Sequence, residues 1–348
     1  MRQLKIIVAL VAGLFAFTSV QAGEMTVSGS MQATIQSEVS GNTGNPLGIN
    51  TDLKFAGSTD TDFGTATWSM ATDGVFLGGD SGQGADHSLK LATSMGTIGI
   101  GNSGDAANAV DDITPSAFEE ANGSGSGSYS TDFGSGMDGS MSVSYAWSDV
   151  MGTGVSIAYN YYPRLDGVTN KEKSASYASG SETKDKAQSV NVGIPLAGLP
   201  VLGDTPLGGM KITLGYEESD SRVTDAQGKQ GGTVAVNLPV GPLSIGYQKK
   251  AYQEAQTAIL IANRVFYKDD IYGLAYAVND DLAISYNVIE SAKHSKDGIN
   301  DEQETKAINA AYTVGGLTIG FQDAKTSNSG YVADTDNDTR TISIKTAF

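Results

Sequence analysis

The chain has no cysteine among its 348 residues. Disulfide bonds and zinc sites built from thiolates are therefore excluded, so stability has to come from other contacts. Long apolar runs are missing as well: the longest extends from Ile6 to Phe17, whereas a membrane-spanning helix needs roughly 20 apolar residues. Basic residues are few, with 22 Lys and Arg against 39 Asp and Glu. The chain therefore offers no basic face to phosphates, and no nucleic-acid partner is expected.

The first residues carry the features of a secretory signal peptide. Arg2 and Lys5 precede the apolar run, and Val20-Gln21-Ala22 offers a small-residue cleavage site. We therefore predict a signal peptide over residues 1–22 and one mature domain over residues 23–348. Without Arg2 and Lys5, 20 basic residues remain against 39 acidic ones, a net charge of −19. A negative field of this kind favours cations wherever the charge lines a cleft.

Glycine is abundant, with 44 residues, whereas proline is scarce, with 8. Such an excess of glycine is found in disordered chains, in collagen and in turn-rich β proteins. Glycine does not recur with a period of three, which excludes collagen, and Tyr, Phe, Val and Ile recur at regular intervals, which argues against disorder. The composition therefore indicates a β protein with many turns.

Apolar and polar residues alternate with a period of two through the mature chain, as expected of strands with one apolar and one polar face. The first segment places Met25, Val27 and Ile35 on one side and Thr26 and Gln32 on the other. Sixteen segments of this kind are joined alternately by short turns and by long polar loops. This asymmetry is typical of outer-membrane barrels, and lipid requires such a sheet to close because an open edge would leave backbone groups unpaired.

We therefore predict an all-β fold, a transmembrane antiparallel up-and-down β-barrel of 16 strands. Eighteen strands remain an alternative if the segment Lys171–Ser179 is also paired. A soluble sandwich would show the same alternation. However, the polar faces are rich in Ser, Thr, Asn and Gln, which suits a water-filled lumen better.

Three stretches resemble the Gram-negative outer-membrane general-diffusion porins, in particular the trimeric alphaproteobacterial type. Residues 50–64 (NTDLKFAGSTDTDFG) are similar to the second strand of that family and its following turn. Residues 96–102 (GTIGIGN) are similar to the fifth strand, which leads into a long third loop. Residues 341–348 (TISIKTAF) resemble the terminal strand, whose last aromatic residue, here Phe348, is an assembly signal recognised by the barrel-assembly machinery.

The resemblance implies a homotrimer in the outer membrane of a Gram-negative bacterium, in contact with outer-membrane lipid and lipopolysaccharide. It also implies a third loop that folds into the lumen as a constriction. Residues 101–128 fit that loop and contain the acidic side chains expected to line the constriction, which are Asp105, Asp111, Asp112, Glu119 and Glu120. Lys54 and Lys90 point into the lumen by strand parity and match the basic wall of the family in position, although that wall is usually rich in arginine. Simple solvation of an outer loop is the alternative explanation of the acidic set.

Other motifs are weak. Asp334, Asp336 and Asp338 could supply oxygen ligands to a Ca²⁺ ion at the outer rim, although the glycine and the distal glutamate of an EF-hand are missing, and a solvated loop is the alternative. No other metal or cofactor is expected. Residues 99–104 match the GxGxxG pattern but are not followed by a helical period, and residues 79–82 (GDSG) have no further features of a serine protease. No catalytic residues and no enzyme activity are therefore expected.

The leading hypothesis is a water-filled channel for passive diffusion of small hydrophilic solutes and ions, with a weak preference for cations. A substrate-specific channel is the first alternative. A sugar channel would show a track of aromatic side chains inside the lumen, however, and Tyr162 and Tyr252 are among the few aromatic residues that point inward by parity. A non-conducting barrel that serves as a structural protein, adhesin or receptor is the second. A barrel of sixteen strands argues against this non-conducting alternative, because side chains fill the lumen only in small barrels.

Overall fold

A computed structural model describes residues 25–38, 45–73, 86–102, 104–121, 133–134, 137, 140–165, 186–198, 203, 205, 207–220, 228–254, 265–295 and 300–348. The predicted signal peptide and the segment 171–179 lie outside the described residues. Among the described residues, no helix is long and apolar enough to cross a membrane.

Almost all regular structure in these ranges is β-strand. Short 3-10 turns occur at Asn108–Val110, Val150–Gly152, Leu196–Gly198 and Ser329–Tyr331. The strands are β1 (Met25–Glu38), β2 (Leu47–Thr61), β3 (Gly64–Asp73), β4 (Asp86–Thr93), β5 (Gly96–Gly101), β6 (Ser142–Trp147), β7 (Ser156–Tyr162), β8 (Ala187–Pro195), β9 (Lys211–Ser219), β10 (Gln230–Val240), β11 (Leu243–Gln253), β12 (Val265–Ala277), β13 (Leu282–Ser295), β14 (Asn300–Val314), β15 (Leu317–Ser327) and β16 (Asn337–Ala347).

Each strand pairs antiparallel with the next one in sequence, and β16 pairs with β1, so that the sheet closes into a barrel. At this seam the backbones of Gly29 and Phe348 exchange two hydrogen bonds of 2.9 Å. The predicted barrel of 16 strands is confirmed. The alternative of 18 strands is wrong, because β7 pairs directly with β8 across the connection that contains residues 171–179.

The outward side of the barrel carries a band of exposed apolar side chains. Ile245, Leu274, Ile284, Ile308 and Ile344 on β11–β16 are each more than 40% exposed. A water-soluble protein rarely exposes contiguous apolar patches larger than a few hundred Å². The band therefore requires an apolar environment, which the hydrocarbon core of a membrane provides.

At the long-loop end of β11–β16, the outward positions change from apolar to charged. These residues form a belt, called the ionic ring below, that consists of Lys249, Lys268, Asp270, Glu290, Glu302, Glu304, Lys306, Asp323, Lys325, Asp338 and Arg340. Ion pairs within the ring include Lys249 with Asp270 at 2.8 Å and Arg340 with Asp323 at 3.0 Å. By contrast, the described outward positions of β1–β8 carry no Asp, Glu, Lys or Arg. The two halves of the outer surface therefore face different surroundings.

Candidate functional site

The chain between β5 and β6 turns into the barrel. Its longest described stretch, residues 104–121, is called the inner loop below. Side chains of β7 and β8 contact the inner loop at Ala106, and a side chain of β15 contacts it at Glu120. The inner loop follows the lumen side of the wall from β7 to β15, which confirms the predicted third loop folded into the lumen.

Amide side chains of the wall bind the backbone of the inner loop. The buried Gln248 of β11 donates from Nε2 to the carbonyls of Val110 at 2.9 Å and Asp111 at 2.6 Å, and its Oε1 accepts from the N–H of Ile113 at 3.0 Å. Other wall amides donate to loop carbonyls: Asn191 to Ala106 (2.6 Å), Asn237 to Ile113 (2.7 Å), Asn287 to Pro115 (2.9 Å) and Gln322 to Glu120 (2.6 Å). Because an unpaired backbone group is costly when it is buried, these bonds fix the path of the loop.

Glycines of the wall give the inner loop its space. An added Cβ would lie 2.2 Å from Pro115 Cδ at Gly246, 2.7 Å from Pro115 O at Gly273 and 2.3 Å from Phe118 Cε2 at Gly320. Each of these separations is far below van der Waals contact, so any side chain at these positions would have to displace the loop. Part of the glycine content therefore serves the packing of the inner loop on strands β11, β12 and β15.

A fully buried lysine holds the middle of the inner loop against the wall. Nζ of Lys250 on β11 lies 3.1 Å from Asp111 Oδ1, 3.2 Å from Asp112 Oδ1 and 3.8 Å from Asp269 Oδ2 of β12. Ser291 of β13 donates to Asp269 at 2.6 Å. Three carboxylates thus share one ammonium group, and breaking such a buried cluster on one side is costly.

The protonation of Asp111 is changed by its burial in this cluster. Burial raises the pKa of Asp111 to about 7 against the attraction of Lys250, and the carboxylate of Asp112 adds to the rise. The neutral form of Asp111 is therefore favoured in the folded protein. Because the folded protein binds this proton more tightly than the unfolded chain does, protonation of Asp111 stabilises the fold. The stabilisation is complete at a pH below the ordinary pKa of an aspartate, and it is lost as the pH rises through about 7.

Asp105 lies at the beginning of the inner loop and is buried. Its carboxylate accepts hydrogen bonds from the hydroxyl of Ser189 on β8 and from the N–H of Ala107 at 2.9 Å. Asp105 therefore attaches the loop to the wall. Its contribution to an electric field at a constriction stays a prediction.

Glu119 and Glu120 lie at the other end of the inner loop and are half-buried. Burial raises the pKa of both carboxyls, and the neighbouring Glu120 adds to the rise at Glu119. Lys345 of β16 opposes the rise at Glu119. The positive charge of Lys345 therefore acts on Glu119 at the end of the loop.

Lys54 and Lys90 lie on the lumen side of β2 and β4, opposite Ser28 and Thr67, and both are exposed. Within the described ranges they form no ion pair with the inner loop. The lysines that the structure brings to the acidic loop residues are Lys250 and Lys345, at positions farther along the chain. The role of Lys54 and Lys90 as a basic wall stays a prediction.

A cavity of about 360 Å³, called the eyelet cavity below, separates the end of the inner loop from strands β1, β2 and β16. The loop contributes Phe118 and Glu119 to its lining. The wall contributes the polar side chains of Gln32, Thr34, Gln36, Asn50 and Thr341. On this side of the lumen the loop thus faces amides and hydroxyls.

The last strand and the loop before it hold the remaining predicted residues. Phe348 completes the seam with Gly29 and is 68% exposed; its recognition by assembly machinery stays a prediction. Asp338 forms an ion pair with Lys325 at 3.4 Å. Among the described residues, no group of three His, Cys, Asp or Glu side chains is placed to hold a metal ion. A Ca²⁺ ion at Asp334, Asp336 and Asp338 stays a prediction.

The two inward tyrosines singled out in the sequence do not line an open lumen. Tyr162 is buried against Met137 and Ala187, and Tyr252 is buried near Phe133. The aromatic ring that lines the eyelet cavity belongs to Phe118, which the sequence pattern did not distinguish from other loop residues. The buried position of Lys250 was missed as well, although its parity placed it inside the barrel.

Solved structures of outer-membrane proteins, porins among them, share the fold of this closed barrel of 16 antiparallel strands. OmpT of Vibrio cholerae, expressed in the outer membrane, superposes with a TM-score of 0.64 at 12% identity, over 95% of this chain and 99% of that one. OmpF of Salmonella typhi, in complex with daunomycin, gives a TM-score of 0.60 at 13% identity, over 94% and 98%.

A mutant porin of Rh. blastica gives a TM-score of 0.56 at 13% identity, over 93% of this chain and 100% of that one. At these identities of 12–13%, it is the TM-scores of 0.56–0.64 that establish a shared fold. A scan of protein-family models finds no match, and a search of curated proteins finds none either.

We predict that the substitution Lys250→Met frees the inner loop from the wall. Asp111, Asp112 and Asp269 would lose their shared ammonium, and removal of one partner from a buried ion pair costs about 3–5 kcal/mol. Single-channel recording should show a larger or fluctuating conductance. The matched control is Lys249→Met, the outward neighbour, whose half-exposed pair with Asp270 contributes at most about 1 kcal/mol. Identical, stable conductance in both variants would contradict the assignment.

We also predict that the charge of the inner loop changes near neutral pH. Because the pKa of Asp111 is about 7, the loop gains a negative charge as the pH rises through that value. The ratio of cation to anion permeability, measured from reversal potentials in a KCl gradient, should therefore increase between pH 6 and pH 8. Asp111→Asn should remove this step, and an unchanged step in that variant would refute Asp111 as its origin.

Proposed function

We propose that this protein is an outer-membrane porin, a water-filled channel for passive diffusion of small hydrophilic solutes and ions. The observation that carries the proposal is the inner loop, which is bound along the wall from β7 to β15 and is separated from β1, β2 and β16 by the eyelet cavity. A loop held in this way narrows a wide barrel without filling it. The likeness to solved porin structures supports the same conclusion at the level of the fold.

A weak preference for cations is part of the proposal. The mature chain carries a net charge of −19, and Glu119 and Glu120 stand at the end of the inner loop, where Lys345 acts on Glu119 and Lys250 on Glu120. Asp111 and Asp112 contribute less, since Lys250 compensates part of their charge. Charges on the outer loops also contribute little, because salt screens them over the distance to the pore.

The proposed assembly is a homotrimer whose protomers meet through the uncharged half of the outer surface. Strands β5 and β6 contain six residues each, whereas a strand that crosses a bilayer at a tilt needs roughly 9–11. Short strands without outward charges are better suited to contact with other protomers than with lipid. OmpT of Vibrio cholerae has been solved in a trimer form, which supports the proposal.

The opposite half would then face lipid. The ionic ring on β11–β16 lies at the long-loop end, next to the apolar band, where charged headgroups of outer-membrane lipid and lipopolysaccharide would be in contact with it. Export through the predicted signal peptide of residues 1–22 and recognition of Phe348 by the barrel-assembly machinery complete the proposed outer-membrane location.

Recording across planar bilayers tests the channel itself. The purified mature protein should produce stepwise increases in ion conductance, and a trimer predicts steps in groups of three. In a KCl gradient the reversal potential should show cation permeability above anion permeability. Folded protein that produces no conductance would refute the channel and favour a structural or receptor role. Clear anion preference would refute only the proposed selectivity.

Absence of cysteine allows a direct test of the protomer interface with single-cysteine variants. Ile98→Cys on β5 and Ile284→Cys on β13 are labelled with the same fluorophore in vesicles that contain quencher-bearing lipid. We expect strong quenching at residue 284, which faces lipid, and weak quenching at residue 98, which is covered by another protomer. Equal quenching at the two positions would place both of them in lipid and refute the interface.

A further inference from the structure

The eyelet cavity has a chemical character that a simple constriction does not require. The polar side chains in the described part of its wall are three amides and two hydroxyls, from Gln32, Gln36, Asn50, Thr34 and Thr341, next to Gly48 and Ile49. Amides and hydroxyls can both donate and accept hydrogen bonds, unlike the carboxylates and lysines that steer ions. A wall of this kind matches a solute that presents several hydroxyl groups.

Two of these wall groups are held by neighbouring side chains, Gln32 across the seam of the barrel and Asn50 within its own strand. Gln32 Nε2 donates to Ser343 Oγ at 2.9 Å, and Asn50 Nδ2 donates to Asp52 Oδ1 at 3.1 Å. Side chains that are already oriented lose less conformational freedom when a ligand binds. The wall is therefore arranged before a solute arrives.

The inner loop places an aromatic ring on the opposite side of the cavity. The ring of Phe118 lies against the backbone of Gly320, where an added Cβ would be only 2.3 Å from Cε2, and it also lines the cavity. An aromatic face provides an apolar surface on which the C–H groups of a pyranose ring can pack. Glu119, beside it, supplies a carboxylate that accepts hydrogen bonds from hydroxyls.

We propose that the eyelet cavity is a binding subsite for neutral polyhydroxylated solutes of the sugar class, formed by Phe118, Glu119, Gln32 and Asn50. The proposal rests on the proposed channel function and names a solute class for it. Glu119 disfavours anions, and among the described residues of the lining it is not joined by a second carboxylate that would favour an organic cation. The volume of about 360 Å³ is at the lower end of small-molecule sites, which span roughly 300–1,000 Å³.

The test is inhibition of ion current by a sugar in planar bilayers. Maltose is added at increasing concentration to single channels in KCl, and a polyethylene glycol of the same hydrodynamic radius serves as the non-binding comparison. We expect maltose to reduce the current along a saturable curve and to exceed the effect of the polymer, because a bound sugar occupies the narrow part of the pore.

Variants locate the site. Phe118→Leu and Gln32→Leu should each raise the half-blocking concentration of maltose by about three- to tenfold, as expected for loss of an aromatic or a hydrogen-bond contact. The matched controls are Phe63→Leu, in the exposed turn after β2, and Gln230→Leu, on the outward side of β10; both should keep the unchanged value. A β-sheet circular dichroism spectrum equal to that of the unaltered protein shows for each variant that the barrel has folded.

Different outcomes separate this inference from the channel function on which it rests. If maltose reduces the current only as much as the polymer, while ion conductance is normal, the sugar subsite is wrong and the channel stands. If glucosamine, a cation at pH 6, blocks and maltose does not, the cavity is a cation site and the proposal is overturned. If folded protein conducts no ions, the channel function itself fails.

Discussion

The interaction on which the candidate pore depends is the binding of the inner-loop backbone by amide side chains of the wall. A polypeptide that lies against the inside of a barrel has to satisfy its N–H and C=O groups there. Gln248 satisfies three of them, and Asn191, Asn237, Asn287 and Gln322 satisfy others at intervals along the path. The position of Phe118 and Glu119, and with it the shape of the eyelet cavity, follows from this set of hydrogen bonds.

Electrostatics and sterics act together with these amides. Lys250 attracts the acidic turn at Asp111 and Asp112, while Gly246, Gly273 and Gly320 let the loop approach the strands. The wall under the loop thus combines buried charged groups, neutral hydrogen-bonding groups and glycines. The opposite side of the lumen, at β1, β2 and β16, keeps its polar side chains available to the pore. Strands β7–β15 thus hold the inner loop, whereas β1, β2 and β16 border the eyelet cavity.

The sequence predicted the barrel, its 16 strands and the entry of the third loop, because alternation with period two and turn length are local properties that a strand displays in its own residues. The contacts inside the barrel could be predicted less completely from the sequence. Parity placed Lys250 inside the barrel, but only the three-dimensional path of the loop shows that Asp111 and Asp112 reach it. Likewise, Asp105 has the same charge as Glu119 but is bonded to Ser189, a partner 84 positions away in the chain. Lys54 and Lys90 were chosen by position along the strands, whereas the lysine beside Glu119 is on the last strand.

The seam between β1 and β16 has a consequence for how the protein folds. Gln32 and Ser343, which are joined by a hydrogen bond, are separated by 311 positions in the chain. Contacts of such long range form slowly, because the entropy of closing the intervening chain must be lost before the contact contributes. Until that moment the first and last strands each present a free edge, which is a template for aggregation. Closure of this seam thus separates a barrel without free edges from a chain that exposes two of them, and a protein that shields these edges during assembly would act before closure.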